Sequence, residues 1–176
     1  MNFTILTFDT LQSSNDLLKE HFSSFPHGTV VRTHFQTQGR GQFDRHWEAS
    51  YGENLLVSIL LKDLPIDKLP LIKSWTFASI LSLLKEYDIE GVKVEPNDIF
   101  VSNKKICGIL IESQTFNKHL NYVIVGIGLN VNQTTFQVPE AVSMKLVRKQ
   151  TFTIDSLFEQ WLEILAKTQK KVLFSE

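Results

Sequence analysis

The chain has 176 residues, 43% of them hydrophobic, with 18 Lys and Arg against 19 Asp and Glu and a formal net charge of −1. That length and apolar content suit one folded domain, and the balanced charge excludes a protein that grips nucleic acid through a broad basic surface. A single cysteine, Cys107, excludes an internal disulfide and a thiolate-only metal site. Taking the chain in order, Phe3 to Phe8 is short and rich in apolar residues, which predicts a first strand. Ser13-Ser14-Asn15-Asp16 offers cap chemistry ahead of Leu17, Leu18 and Phe22, which predicts a helix start. Thr29 to Phe35 alternates and is β-branched, so a second strand is expected there. Gln36 to Glu53 breaks all periodicity, contains Gly39, Gly41 and Gly52, and reads as a long loop.

Asn54 to Lys62 is a nearly continuous apolar run, the pattern of a strand covered on both faces. From Ile66 to Tyr87, Leu69, Ile72, Trp75, Phe77, Ala78, Leu81 and Leu84 fall at helical spacings. Gly91 to Val94 and Ile99 to Val101 predict short strands around Glu95-Pro96-Asn97-Asp98. Ser102-Asn103-Lys104 predicts a hairpin turn into a strand over Ile106 to Ile111, and Leu120 to Val131 predicts its partner. An amphipathic helix closes the chain from about Ile154 to Val172, with Leu157, Phe158, Trp161, Leu162 and Leu165 on one stripe that is expected to pack in the core. Strands clustered between a few helices give an α+β fold, a mixed and mostly antiparallel sheet covered by helices, with residues 1–176 as a single domain and no DNA-binding domain.

The chemistry concentrates in QTQGRGQFDRHW, residues 36–47. Two glycines let backbone N–H groups approach a ligand, Arg40 and Arg45 supply cations with His46 alongside, and Asp44 offsets part of the charge. Such a loop suits a small anionic ligand, although the same glycines also serve a plain solvated turn. It is neither a Walker A loop nor a dinucleotide fingerprint. Gly126-Ile127-Gly128 lies inside a strand, where the glycines mark a bulge or the close approach of something packed over the sheet. Asp98 suits a hydroxyl or a water-bridged Mg²⁺ as well as an Asx turn. Lys105 enters an apolar strand beside Gly108, so its ammonium is a candidate to point inward over a site. Cys107 reads as packing rather than as a nucleophile, since no histidine is near it in sequence. The five histidines show no ligand spacing, no signal peptide is apparent, and no stretch approaches the ~18–20 apolar residues of a membrane span. A cytoplasmic protein without membrane partners is expected.

Taken in order, Ser13-Ser14-Asn15, the Gln36–Trp47 loop, Pro96-Asn97-Asp98, Lys105-Ile106-Cys107-Gly108-Ile109-Leu110 and Gly126-Ile127-Gly128-Leu129-Asn130-Val131 resemble the catalytic domain of biotin–protein ligases. The resemblance implies a class II aminoacyl-tRNA-synthetase-like fold of the biotin/lipoate ligase type. It also implies ATP-dependent attachment of biotin, through biotinyl-5′-AMP, to a lysine of a biotin carboxyl carrier protein. On this reading Ser13, Ser14, Asn15, Gln36, Gly39, Arg40, Gly41, Gln42, Lys105 and Gly108 bind biotin. Arg40, Arg45, Trp47, Asn97, Lys105 and Asn130 hold ATP or the adenylate. Lys105, Arg40 and Asp98 are the catalytic candidates. Mg²⁺ comes with ATP, near Asp98, and no metal is held by the protein alone.

Three departures from the family pattern stand out. Gln42 replaces a common arginine, Val94-Glu95 replaces a common Lys-Trp and sets an acid near an anion site, and the small C-terminal barrel of many members is expected to be missing. Lys93 cannot take over from that lysine, because a one-residue shift turns its side chain to the other face. The expected partners are biotin, ATP and the carrier domain, with no DNA, in a monomer or weak homodimer. Two alternatives share the fold: a non-catalytic biotin-binding module, and a lipoate- or octanoate-transferring relative, whose transferases use a cysteine.

Overall fold

Apolar and β-branched residues at period two organise the molecule around one sheet. The structure, a computed structural model, describes residues 2–43 and 45–173, with side chains as far as Gln169. The elements are β1 (Thr4–Leu11), α1 (Ser14–Glu20), β2 (Thr29–Gln36), β3 (Asn54–Pro65), α2 (Lys68–Lys85), β4 (Val92–Val94), β5 (Asp98–Val101), β6 (Lys104–Phe116), β7 (His119–Asn130), α3 (Met144–Arg148) and α4 (Ile154–Leu173). Seven strands form the sheet in the order β1-β2-β3-β7-β6-β5-β4. β1 and β2 run parallel and each other neighbouring pair is antiparallel, the mixed, mostly antiparallel α+β arrangement that the sequence predicts.

Two tight hairpins set the register of the central strands. Ser102 and Asn103 have φ of 49° and 63°, and Asn117 and Lys118 have 48° and 62°. Paired left-handed residues are the turn geometry whose twist matches a two-stranded ribbon. The second hairpin lets β6 and β7 run on to Phe116 and from His119, beyond the predicted limits.

The two faces of the sheet differ in cover. Leu55, Val57, Ile59 and Leu61 of β3 enter the large core with Ile72, Phe77, Ile80 and Leu84 of α2 and Leu157, Trp161 and Leu165 of α4. Leu60 points the other way, into a smaller cluster with Val31, Tyr122, Ile124 and Leu18 of α1. β3 is therefore covered on both faces, as its unbroken apolar run predicts. Trp161 donates from Nε1 to Ser79 Oγ at 3.0 Å and Trp75 to Thr168 Oγ1 at 2.7 Å, so both indoles are satisfied core residues. Arg32 of β2 reaches Asp155 in the first turn of α4 at 2.5 Å and lies 5.0 Å from the centre of the Phe158 ring, fixing that helix against the sheet.

α1 begins as its sequence predicts, with Ser13 Oγ accepting the Asp16 N–H. α3 is not predicted. At five residues it carries too little periodicity to read, and it is held by a Ser143 cap that accepts the Leu146 N–H. Among the described residues no helix is long and apolar enough to cross a membrane.

Candidate functional site

The site is built on the face of the sheet that carries α1. Phe8, Thr33, Leu56, Gly128, Gly108, Asp98 and Val94 stand in register across all seven strands. The next row on that face holds Leu6, Val31, Ser58, Gly126 and Leu110. The glycines in these rows leave a hollow. A Cβ on Gly108 would sit 2.7 Å from the Trp47 ring, one on Gly128 would overlap the same ring, and one on Gly126 would overlap the Asn15 carboxamide. The register runs unbroken through Gly126–Gly128, so of the two readings of these glycines the close approach holds and the bulge does not.

Trp47 is placed by the loop before it. Trp47 donates its N–H to Gly39 O at 2.9 Å, Gly41 donates to Arg45 O at 2.6 Å, and Arg40 bridges to His46, which lays residues 39–41 against residues 45–47. A Cβ on Gly39 would lie 2.9 Å from Trp47 O, so the bare Cα at 39 serves the fold of the loop. Gly39 itself does not line the cavity, whereas every other candidate named from the sequence does. Asp44 lies outside the described residues, and with it the expected offset of the loop's charge.

The cavity encloses about 600 Å³. Ser13, Ser14, Asn15 and Gln36 line its polar end. Trp47, Gly108 and Gly128 form the floor, and Asn97, Asp98, Lys105 and Asn130 lie along the other side, with Arg40, Gly41, Gln42 and Arg45 contributed by the loop. At the polar end Gln36 Oε1 accepts the Ser14 N–H at 2.7 Å, Ser14 Oγ lies 2.6 Å from Ser58 Oγ, and Ser58 Oγ donates to Asn15 Oδ1 at 2.6 Å. Asn15 Nδ2 donates in turn to Glu112 Oε2 at 3.0 Å.

Lys105 reaches the site through an irregularity. The register slips between Ile99 and Phe100, which oppose Cys107 and Lys105, so Ile106 is an extra residue on β6. Ile106 and Cys107 both enter the large core, while Lys105 and Gly108 both face the cavity. A β-bulge re-aims a side chain in this way. Lys105 Nζ lies 2.7 Å from Asp98 Oδ1 and 5.4 Å from the centre of the Trp47 ring. The Lys105 backbone also holds the segment beyond β7, donating to Glu140 O at 2.6 Å and accepting from Val142 N at 2.9 Å.

Arg40 is tied to carboxylates at the polar end. Its Nη2 lies 2.5 Å from Asp16 Oδ1 and 2.8 Å from Glu112 Oε2, and its Nε donates to Asp16 Oδ2 at 3.1 Å. Lys19 adds a contact to Glu112 Oε1 at 3.1 Å. Burial alone would raise the Glu112 carboxyl, but hydrogen bonds from Asn15, Arg40 and Lys19 outweigh it and hold the group below its ordinary range.

Two expectations require correction or closure. Glu95, expected to set an acid beside the anion site, does not line the cavity. Lys93 and Lys73 hold its carboxyl below the usual range, Lys73 at 2.9 Å. Lys93 points to the helix side, 4.8 Å from the centre of the Phe77 ring, as the strand register requires. Cys107 is fully buried, and burial pushes its thiol far above the ordinary range, so it offers no thiolate.

Two polar atoms along the cavity are buried without a partner among the described residues: Trp47 Nε1, a donor, and Asn130 Oδ1, an acceptor. Asn130 Nδ2 is engaged by Val142 O at 3.1 Å, which fixes the amide. Buried polar atoms ordinarily find partners, and Trp47 Nε1 goes without one where the indole is seated against Gly128. Among the described residues no cluster of three or more His, Cys, Asp or Glu side chains could hold a metal ion.

Residues 7–130 match the biotin/lipoate A/B protein ligase family. The chain belongs to that family. It is 34% identical over 119 residues to the bifunctional ligase/repressor BirA of Bacillus subtilis, covering 65% of this chain and 36% of the relative. It is 35% identical over 129 residues to the chloroplastic biotin–protein ligase 1 of Arabidopsis thaliana, covering 69% of this chain and 35% of the relative. The chain thus spans about a third of the length of these curated relatives. The fold is that of the biotin protein ligase from Aquifex aeolicus in complex with biotin and ATP, with a TM-score of 0.81 at 24% identity over 96% of this chain and 71% of that one. The Leishmania major biotin protein ligase in complex with biotinyl-5-AMP gives 0.74 at 21% identity, over 97% of this chain and 76% of that one. As a member of the family, the chain carries its resembling motifs on the walls of one cavity.

Proposed function

We propose that this family member activates biotin with ATP and transfers it to a lysine of a biotin carboxyl carrier protein in the cytoplasm, as one catalytic domain over residues 1–176. The observation that carries the reading is the cavity itself, in which a polar end, an indole-covered glycine floor and the Lys105–Asp98 pair share one cleft. Biotin joins a ureido ring, which cannot be buried unpaired, to an apolar arm ending in a carboxylate. Ser13, Ser14, Asn15 and Gln36 match the ring, and the apolar floor of Gly108, Gly128 and Trp47 matches the arm, delivering the carboxylate toward Lys105.

In the first step a biotin carboxylate oxygen attacks the α-phosphorus of ATP, forming a mixed anhydride and releasing pyrophosphate. Two anions must meet, so Lys105 and Arg45 supply the opposing field, while the Arg40 guanidinium, engaged by Asp16 and Glu112, holds the loop at the polar end. Gln42 adds hydrogen-bonding capacity without charge. Trp47, Asn130 and Asn97 line the wall beside Asp98 on which the adenylate would lie. In the second step the carrier lysine amine attacks the anhydride carbonyl, an amide forms, AMP departs, and Asp98 stands where it can receive the amine proton. Were Mg²⁺ to enter with the nucleotide, Asp98 is the cavity-lining carboxylate that would stand beside it. The buried Cys107 supports ligation over a cysteine-dependent acyl transfer.

The test is biotin-dependent exchange of labelled pyrophosphate into ATP with Mg²⁺. Exchange that requires biotin is expected. Biotin binding without exchange would instead identify a biotin-binding module, and exchange driven by lipoate or octanoate would change the acid.

A further inference from the structure

The polar end of the cavity is wired to a carboxylate that does not line it. Ionised Glu112 has only acceptor atoms and takes the shorter of two bonds from Asn15 Nδ2, at 3.0 Å against 3.4 Å to Leu110 O, so the Asn15 amide turns Nδ2 toward it and Oδ1 away. Oδ1 then accepts the single Ser58 hydroxyl proton. With that proton committed, Ser58 Oγ can serve its 2.6 Å contact to Ser14 Oγ only as acceptor, and Ser14 must donate its own proton to it. Gln36 Oε1 accepts the Ser14 N–H at 2.7 Å and, at 3.0 Å from Ser14 Oγ, is a second and longer acceptor for the same hydroxyl proton, which in either case is committed within the protein. The result is a directed chain in which Ser14 Oγ has no proton left and presents a lone pair to the cavity. Asn15 is 4% exposed and Ser58 is fully buried, so water cannot easily scramble these directions.

We propose that Glu112 is a positioning residue that sets the hydrogen-bond polarity of the acid-substrate pocket, making Ser14 Oγ an acceptor for a ligand N–H and so favouring acids that carry a ureido group over plain fatty acids. The inference rests on the biotin reading above and deepens it. Glu112 stays charged because three side chains converge on it, two of them cationic. It touches no ligand on this scheme and acts through Asn15 and Ser58.

The test compares wild type with Glu112→Gln, which keeps the shape but lets the amide chain reverse, and with Ser58→Ala, which cuts the relay. KM values for biotin, desthiobiotin and ATP are measured by pyrophosphate exchange, and octanoate binding is measured by calorimetry. Loss of one well-formed hydrogen bond to the ureido edge predicts a rise in KM of about tenfold for biotin and for desthiobiotin. KM for ATP and octanoate affinity should stay within about twofold of wild type on the same arithmetic. The double variant should be no worse than the poorer single one, because both act on one chain. An unchanged biotin KM, equal losses for octanoate and biotin, or independent, multiplying effects of the two substitutions would each overturn the role of Glu112. Wild-type protein that binds no biotin would overturn the biotin reading and this inference together, whereas wild-type binding with an unaltered Glu112→Gln protein would overturn this inference alone.

Discussion

Lys105 and Asp98 face one another across β6 and β5 with 2.7 Å between ammonium and carboxylate, and it is the extra residue Ile106 that brings them together. The pair is half-buried, so each charge holds the other in the cavity while both remain reachable by a ligand. Lys105→Ala should reduce biotin-dependent pyrophosphate exchange by about 10²–10³-fold, the usual cost of removing one preorganised charge-stabilising group. The melting temperature should change little, because the ammonium is not part of either core. Wild-type exchange in the variant would remove Lys105 from the chemistry.

Gly128→Ala should expel Trp47 from its seat. The added Cβ overlaps the indole, and overpacking of this kind typically costs about 1–3 kcal/mol. A changed tryptophan emission and a raised KM for ATP are expected, with the sheet itself intact by circular dichroism. Unchanged emission would mean that the ring does not rest on the glycines.

Cys107→Ser should lower stability without lowering turnover. The site is fully buried, and a hydroxyl with poor partners there costs about 1–3 kcal/mol. Exchange activity per folded molecule should match wild type. Loss of all activity in protein that remains folded would restore a nucleophilic role to the thiol.

Stability should depend on Glu112 in a defined direction. Its carboxyl lies below the ordinary value of 4.5 when folded, so the unfolded chain binds the proton more readily. The carboxylate therefore contributes stability that is fully present above that ordinary value and is lost as pH falls through the lower folded value. Urea unfolding of wild type and Glu112→Gln should show a difference near neutral pH that shrinks on acidification. A difference that grows as pH falls would contradict the sign.

The fold was largely legible because period-two patterning and turn residues act locally, which places β2, β3, the Ser102–Asn103 hairpin and α4 close to their observed positions. α3 was not legible, since five residues give no helical period. The candidate site residues were legible as motifs, and all but Gly39 line one cavity. Ser58 and Glu112 escaped notice because each looks ordinary in isolation. Ser58 is a lone hydroxyl in an apolar strand, and Glu112 lies two and four positions beyond Leu110 and Gly108. Only knowing that 108, 110 and 112 share the cavity face gives it meaning. Glu95 misled for the opposite reason, since proximity in sequence to Asp98 says nothing of the side of the sheet its carboxyl takes.

The unequal cover on the two faces of the sheet has a consequence for how a ligand enters. α1 spans seven residues, and its buried set is Ser14, Asn15 and Leu18, one fully buried apolar side chain with Leu17 partly buried beside it. α2 and α4 each bury several large side chains against the opposite face. Local opening draws on the least anchored elements, so α1 can lift from the sheet while the rest stays closed. A molecule bound between α1 and the Gly126–Gly128 strand would then act as a clasp, slowing amide exchange in α1 far more than in β3 or β7.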